Sequence, residues 1–300
     1  MGWHDGIMTM PSRRVGAIFL PDLPPEQLRE VVQTAEEAGV SELWLWEDCF
    51  REGAFSSAAA ALAWTERLRI GIGIAPMPLR NVALTAMEIA TTERMFPGRL
   101  LPGVGHGVLA WMGQVGARVA SPLTLMREYV PALRALLAGE TVSVGGRYVR
   151  LDDVRLNWPP ADPPPVYAAG EGPKTLRLTG EVADGTVLTG GTTPAGVSRA
   201  RQLIDEGHAD SGRPQPHPVV VYLAVAFGAG AEHRAATQLD LWGLPDQRDR
   251  IAAGDAGAVA ERVEEYYAAG ADAVILQPLQ NENNPGGFWQ GVAEVAAQVR

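Results

Sequence analysis

The sequence predicts a (β/α)8 barrel folded as one domain. Three observations carry this expectation. Eight short apolar runs alternate with helix-like segments whose apolar residues recur every three or four positions. The chain has 300 residues, a length that an α/β barrel commonly occupies as one unit. Its 46% hydrophobic and 20% charged composition supplies a sizeable core without the character of a membrane or disordered chain. Regular strand-helix alternation means parallel strands with right-handed crossovers, and eight units favour a closed barrel over an open doubly wound sheet.

Residues 1–14 contain His4, Asp5 and Pro11 and lack the apolar centre of a secretory signal, so they are read as a short disordered lead to a barrel over 15–300. The first strand is expected at 15–20. A helix over 26–38 follows, stopped by Gly39. Strands at 42–46, 69–75 and 100–104 come next, with a helix at 81–95 after Pro78, and Ser121 caps a helix opening with Pro122, where the missing N–H costs nothing. Then the rhythm breaks. Residues 141–151 read as a hairpin with Gly145 and Gly146 as its two turn residues, and the proline-rich stretch 157–165 as an extended connector. The last four strands fall at 166–169, 185–188, 219–227 and 273–277. Between the last two, residues 228–257 exceed the needs of one βα unit and suggest a lid-like segment on the substrate side.

A formal net charge of −10 argues against nucleic acid and against an anionic membrane surface, both of which are gripped by accumulated Lys and Arg. No apolar run is long enough to span a bilayer. The single cysteine, Cys49, excludes an internal disulfide, and a cytoplasmic protein is expected.

In such a barrel the loops after each strand converge on one face, so functional residues should lie just beyond the apolar runs. Glu47 and Asp48 follow the second run and could accept hydrogen bonds from a ring N–H or position a water. Cys49 beside them lacks a paired histidine and reads as a packed thiol. Gly73, Ile74 and Ala75 end the third run, where a glycine suggests a bulge or a close backbone approach to a ligand. Gly105, His106 and Gly107 follow the fourth, offering backbone amides to a planar ligand with His106 as donor or proton carrier. Gly170, Glu171, Gly172, Pro173, Lys174 and Thr175 follow the fifth and enter a helix, an arrangement that suits an anion; Lys174 is the one lysine of the chain. The spacing matches neither a Walker A loop nor a Rossmann fingerprint. No metal site is expected, because adjacent acids on a strand end point apart and no histidine pair accompanies them.

Taken in order, these loops resemble the luciferase-like flavin- and deazaflavin-dependent oxidoreductases, especially the branch similar to methylenetetrahydromethanopterin reductase. The resemblance runs from Val15 to about Arg201. Its carriers are Ala35-Glu36-Glu37-Ala38-Gly39, Trp46-Glu47-Asp48, Ile72-Gly73-Ile74, Phe96-Pro97-Gly98-Arg99, Gly103-Val104-Gly105-His106-Gly107, Arg127-Glu128, Gly170 to Thr175, and Gly180-Glu181-Val182-Ala183-Asp184-Gly185. It implies a luciferase-like barrel whose mouth holds coenzyme F420 or, alternatively, FMN. The ring would be backed by a bulge at Gly73 and Ile74 that contains a non-prolyl cis peptide, contacted by Asp48, with the phosphate in the Gly170–Thr175 loop. Hydride transfer to or from a small organic substrate is implied, with His106, Asp48 and Glu47 as the catalytic candidates, Trp46, Trp111 and Met77 as pocket walls, and a homodimer or larger homo-oligomer. The sugar-phosphate dehydrogenases of this type carry a catalytic His and Glu where this chain has Cys49 and Val108, which disfavours a sugar phosphate. An FMN-dependent monooxygenase using oxygen and a non-catalytic flavin-binding protein are the competing readings.

Overall fold

The computed structural model describes residues 13–280, 282 and 285–299. In chain order it contains β1 (Arg14–Phe19), α1 (Leu28–Glu37), β2 (Glu42–Leu45), α2 (Ala54–Ala63), β3 (Arg69–Pro76), α3 (Val82–Met95), β4 (Leu100–Gly105), α4 (Leu109–Gln114), α5 (Pro122–Leu137), β5 (Val142–Gly145), β6 (Arg150–Val154), β7 (Tyr167–Ala169), α6 (Pro173–Val182), β8 (Gly185–Leu188), α7 (Pro194–Ser211), β9 (Val219–Phe227), α8 (Ala231–Leu241), β10 (Ile251–Gly254), α9 (Ala256–Ala268), β11 (Ala273–Pro278) and α10 (Pro285–Gln298). The large sheet runs β10-β9-β11-β1-β2-β3-β4-β7-β8, and pairing of β8 with β9 closes eight of its strands into a parallel barrel. Every expected strand is present, each end within one residue of its expected place. Of the lead expected over 1–14, residues 1–12 lie outside the described residues, and Arg14 already belongs to β1.

Alternation along the strands divides the core in two. Leu43, Leu45, Ile70 and Ile72 face outward into the helices, whereas Ile18, Trp44, Leu101, Tyr167, Val220 and Tyr222 fill the barrel. Trp44 is the largest of the fully buried side chains. It fits because β3 presents glycine opposite: a Cβ on Gly71 would stand 2.2 Å from the indole Cδ2. The indole then meets Tyr167 and Tyr222 edge-on at centroid separations of 5.8 and 6.1 Å.

The N-terminal end of the barrel is closed by charge. Glu42, fully buried, lies 3.6 Å from Arg14 and 3.4 Å from Arg69, so the first residues of β1, β2 and β3 form one ionic cluster. Charged residues of the family-like motifs clasp loops elsewhere. Glu36 accepts from the amides of Glu66, Arg67 and Leu68. Arg99 donates to the carbonyls of Leu62, Thr65 and Leu68, and Asp184 ties Arg134 and Arg213 to the amide of Val166. The expected caps form: the Asn81 side chain accepts from Ala83 and the Ser121 hydroxyl from Thr124.

Two expectations change. The hairpin is real, but Gly145 pairs with Arg150 inside it, so the turn is residues 146–149 rather than a Gly145-Gly146 dipeptide. Glu128 sets that wider turn by accepting from the amides of Arg147, Tyr148 and Val149, a contact from α5 that no local pattern encodes. Residues 228–257 are folded into the barrel wall rather than draped over its mouth as a lid. β9 is nine residues long, and its upper half pairs with β10, a ninth strand, while its lower half pairs with β8. Arg250 fastens this insert to the carbonyl of Gly191. Among the described residues no helix is long and apolar enough to cross a membrane.

Candidate active site

At the C-terminal ends of the strands lies a cavity of about 640 Å³, lined by the loops after β2, β3, β4, β7 and β8 and by Tyr222 of β9. No residue of 228–257 lines it. The chain thus brings together Glu47, Asp48, Gly73, Ile74, His106, Gly107, Gly170, Glu171, Gly172 and Thr175, as the position of each just beyond a strand leads one to expect. Ala75, Gly105, Pro173 and Lys174 stand outside the lining. Ala75 is buried in the outer core, Pro173 and Lys174 are exposed on the first turn of α6, and Gly105 lies behind Ile74.

The back wall is the end of β3. The β3–β4 register shifts between Ile72 and Ala75, and the Gly73–Ile74 peptide is cis, matching the bulge that the resemblance implied. Tyr222 crosses the barrel to donate a 3.1 Å hydrogen bond to the carbonyl of Gly73, and its ring packs beside the Trp46 indole at a centroid separation of 5.8 Å. A Cβ on Gly73 would fall 1.7 Å from that hydroxyl, so the close approach requires glycine. Gly73→Ala is expected to cost about 1–3 kcal/mol by overpacking, read as a lower urea midpoint.

On the second strand's loop the two acids part company. Glu47 receives two hydrogen bonds from the Arg80 guanidinium, which also reaches Glu88 and stacks over Phe55. Both Glu47 oxygens are therefore committed. The Asp48 carboxylate has no hydrogen-bond partner among the described residues, and burial raises its pKa above the usual aspartate value despite nearby Arg51. Cys49 is half-buried, and burial, with Glu47 and Asp48 adding to it, pushes its thiol up, away from a reactive thiolate.

Two strands along the barrel, the β4 loop turns through Gly107 at φ +67°, a left-handed conformation that glycine adopts freely. His106 lines the cavity, its Nε2 is buried without a hydrogen-bond partner, and burial lowers its pKa. Neutral imidazole is therefore the resting form near pH 7. Trp46 and Trp111 wall the cavity as expected; Met77, expected beside them, is buried in the outer core at 2% exposure.

The fifth loop ends at α6, whose N-cap is Gly172 and whose first turn has no side-chain cap. The amides of Thr175 and Leu176 both donate to the Gly172 carbonyl, while those of Gly172 and Lys174 take no partner among the described residues. These open amides suit an anion. Glu171 is drawn aside by the Thr189 hydroxyl at 2.9 Å. Thr189, Gly190 and Tyr222 are lining residues that the sequence reading missed. The first two open the run Thr189-Gly190-Gly191-Thr192-Thr193 directly after a strand, a placement that could have exposed them, and Tyr222 is the one polar-tipped residue in the apolar run of β9.

The description "Luciferase-like monooxygenase" matches residues 7–277, well past Arg201, where the sequence resemblance stopped. The 5,10-methylenetetrahydromethanopterin reductase of Methanolobus tindarius is 29% identical over 226 residues, covering 75% of this chain and 69% of that protein. An F420-dependent glucose-6-phosphate dehydrogenase of Nakamurella multipartita is 29% identical over 230 residues, covering 66% of each. Among solved structures, an F420-dependent secondary alcohol dehydrogenase in complex with an F420-acetone adduct superposes with a TM-score of 0.83 at 23% identity, over 96% of this chain and 99% of that one. With the closed parallel barrel and its bulged, glycine-lined mouth already in hand, the chain belongs to the luciferase-like monooxygenase family and is an oxidoreductase of that flavin- and F420-dependent group.

Proposed function

We propose that this enzyme transfers hydride between coenzyme F420 and a small organic substrate. The observation that carries this reading is the pairing, in one cavity, of a glycine-built back wall at Gly73 with an uncapped helix start at Gly172. A flat ring with a phosphate tail would use both. Bound there, a deazaflavin supplies a ring carbon that gives or takes hydride. The chain's own residues do the rest. Gly73 and Ile74 would support the ring, and the amides of Gly172 and Lys174 would hold the phosphate. Asp48 would meet the polar edge of the ring, its neutral form favoured by burial. His106, neutral and unpartnered at Nε2, would accept the hydroxyl proton of an alcohol substrate as the adjacent C–H bond breaks. Glu47 would fix the β2 loop through Arg80 rather than carry a proton.

Leu84, Met87 and Met95 form an exposed apolar strip on α3, which supports assembly into a homodimer or larger oligomer.

Anaerobic titration with coenzyme F420 and with FMN, each read by quenching of cofactor fluorescence, tests the reading. Saturable binding of F420 at least about tenfold tighter than FMN is expected, weakened by Asp48→Asn; one such factor of ten corresponds to about 1.4 kcal/mol. Tighter binding of FMN, with product formed only in the presence of oxygen, would overturn it in favour of a monooxygenase.

A further inference from the structure

Two residues of the back wall have lost the support of the sheet. β2 pairs with β3 only as far as Leu45 opposite Ile72, and the β3–β4 register passes from Ile72 directly to Ala75. Gly73 and Ile74 therefore stand outside both ladders, although both line the cavity. Their backbone needs other partners, because a buried peptide group left unpaired is costly.

The two residues are held from different directions. Ile74 packs against β4, where a Cβ on Gly105 would stand only 2.8 Å from its Cγ1. Gly73 is held from across the barrel, where its carbonyl accepts the 3.1 Å hydrogen bond of the Tyr222 hydroxyl. That donor is itself well fixed. Tyr222 lies within β9 opposite Ile275 of β11 and is 3% exposed. Its ring sits between the indoles of Trp44 and Trp46, at centroid separations of 6.1 and 5.8 Å. Burial pushes the phenol's ionisation far above its ordinary value, so the hydroxyl remains a donor at any working pH. Tyr222 also lines the cavity, so the anchor and the wall that it holds face the same space.

We infer that Tyr222 is a positioning residue for the cofactor: its hydroxyl stands in for the missing ladder and holds the wall at Gly73 and Ile74 in the shape on which the ring rests. The inference rests on the reading of the cavity as a flavin or deazaflavin site. Tyr222→Phe keeps the aromatic packing and removes only the hydroxyl. The full-length protein and this variant are titrated with whichever of F420 and FMN the unaltered protein binds more tightly. Both are also titrated with the phosphate-free ribityl analogue of that cofactor, which retains the ring but cannot use the amides of α6. Tyr222→Phe is expected to weaken the two ligands by the same factor, about 3- to 10-fold, the scale of one neutral hydrogen bond, and to shift the visible absorption band of the bound ring. Unchanged affinity and spectrum, with only a lower urea midpoint, overturns the inference, because the hydroxyl then serves the fold alone. Weakening confined to the phosphate-bearing cofactor overturns it as well. Tighter binding of FMN refutes the F420 reading while the Tyr222 comparison is decided with FMN; an unaltered protein that binds neither cofactor overturns both.

Discussion

Replacing His106 with alanine is expected to lower kcat/KM by about 100- to 10,000-fold, the range associated with loss of a positioned acid or base, while F420 affinity measured by fluorescence quenching changes little. The expectation follows from its position. His106 lines the cavity, and no hydrogen bond from the described residues engages its Nε2. The pH dependence has a definite sign. Burial depresses the imidazole pKa below its ordinary 6.5, so the neutral base persists at neutral pH and becomes charged only as pH falls through the depressed value. Alcohol oxidation should therefore be flat above about pH 6.5 and decline on acidification, and His106→Ala should remove that acid limb. The same shift contributes folding stability that is present above the unfolded pKa and is lost as pH falls. An unchanged acid limb in the variant would assign the proton to another group.

Glu42→Ala is expected to destabilise the fold by about 3–5 kcal/mol, because it removes the buried carboxylate that faces two guanidinium groups at the closed end of the barrel. Arg14 is 4% exposed, and burial works against its charge; Glu42 and Tyr167 more than offset that and hold its pKa above the ordinary value. Gly16 leaves the space for this arrangement, since a Cβ there would lie 2.8 Å from Cγ of Glu42. Urea unfolding measures the loss. Glu42→Gln, which keeps the shape but removes the charge, should fall between Glu42→Ala and the unaltered protein. The cluster sits at the end of the barrel remote from the cavity, so the kcat/KM of the folded fraction should not move. A change in kcat/KM without a change in urea midpoint would contradict the structural role.

Both predictions concern residues that the sequence displayed differently. His106 stood out, flanked by Gly105 and Gly107 beyond an apolar run. Glu42 was only the first residue of an expected strand, and its value depends on Arg14 and Arg69, brought to it from two other strands. Glu47 and Asp48 looked equivalent as neighbours, yet Arg80, 33 positions further on, commits one and leaves the other open. Lys174 drew attention as the sole lysine, but its neighbours Gly172 and Thr175 line the cavity, whereas Lys174 is exposed outside the lining. Tyr222 was hidden in an apolar strand because its partner, Gly73, lies 149 positions away.

By itself the sequence determined the number, order and parallel direction of the barrel strands, and most of the loops that line the cavity, because apolar periodicity and glycine placement are local properties of the chain. It could not determine the wider hairpin turn, the ninth strand formed from 228–257, or the division of labour between Glu47 and Asp48. Those outcomes were decided by contacts between residues far apart in sequence: the Glu128 carboxylate on the hairpin amides, the long β9 shared by β8 and β10, and the Arg80 guanidinium on Glu47. Whether a side chain is free or engaged depends on partners that only the folded chain brings within hydrogen-bonding reach.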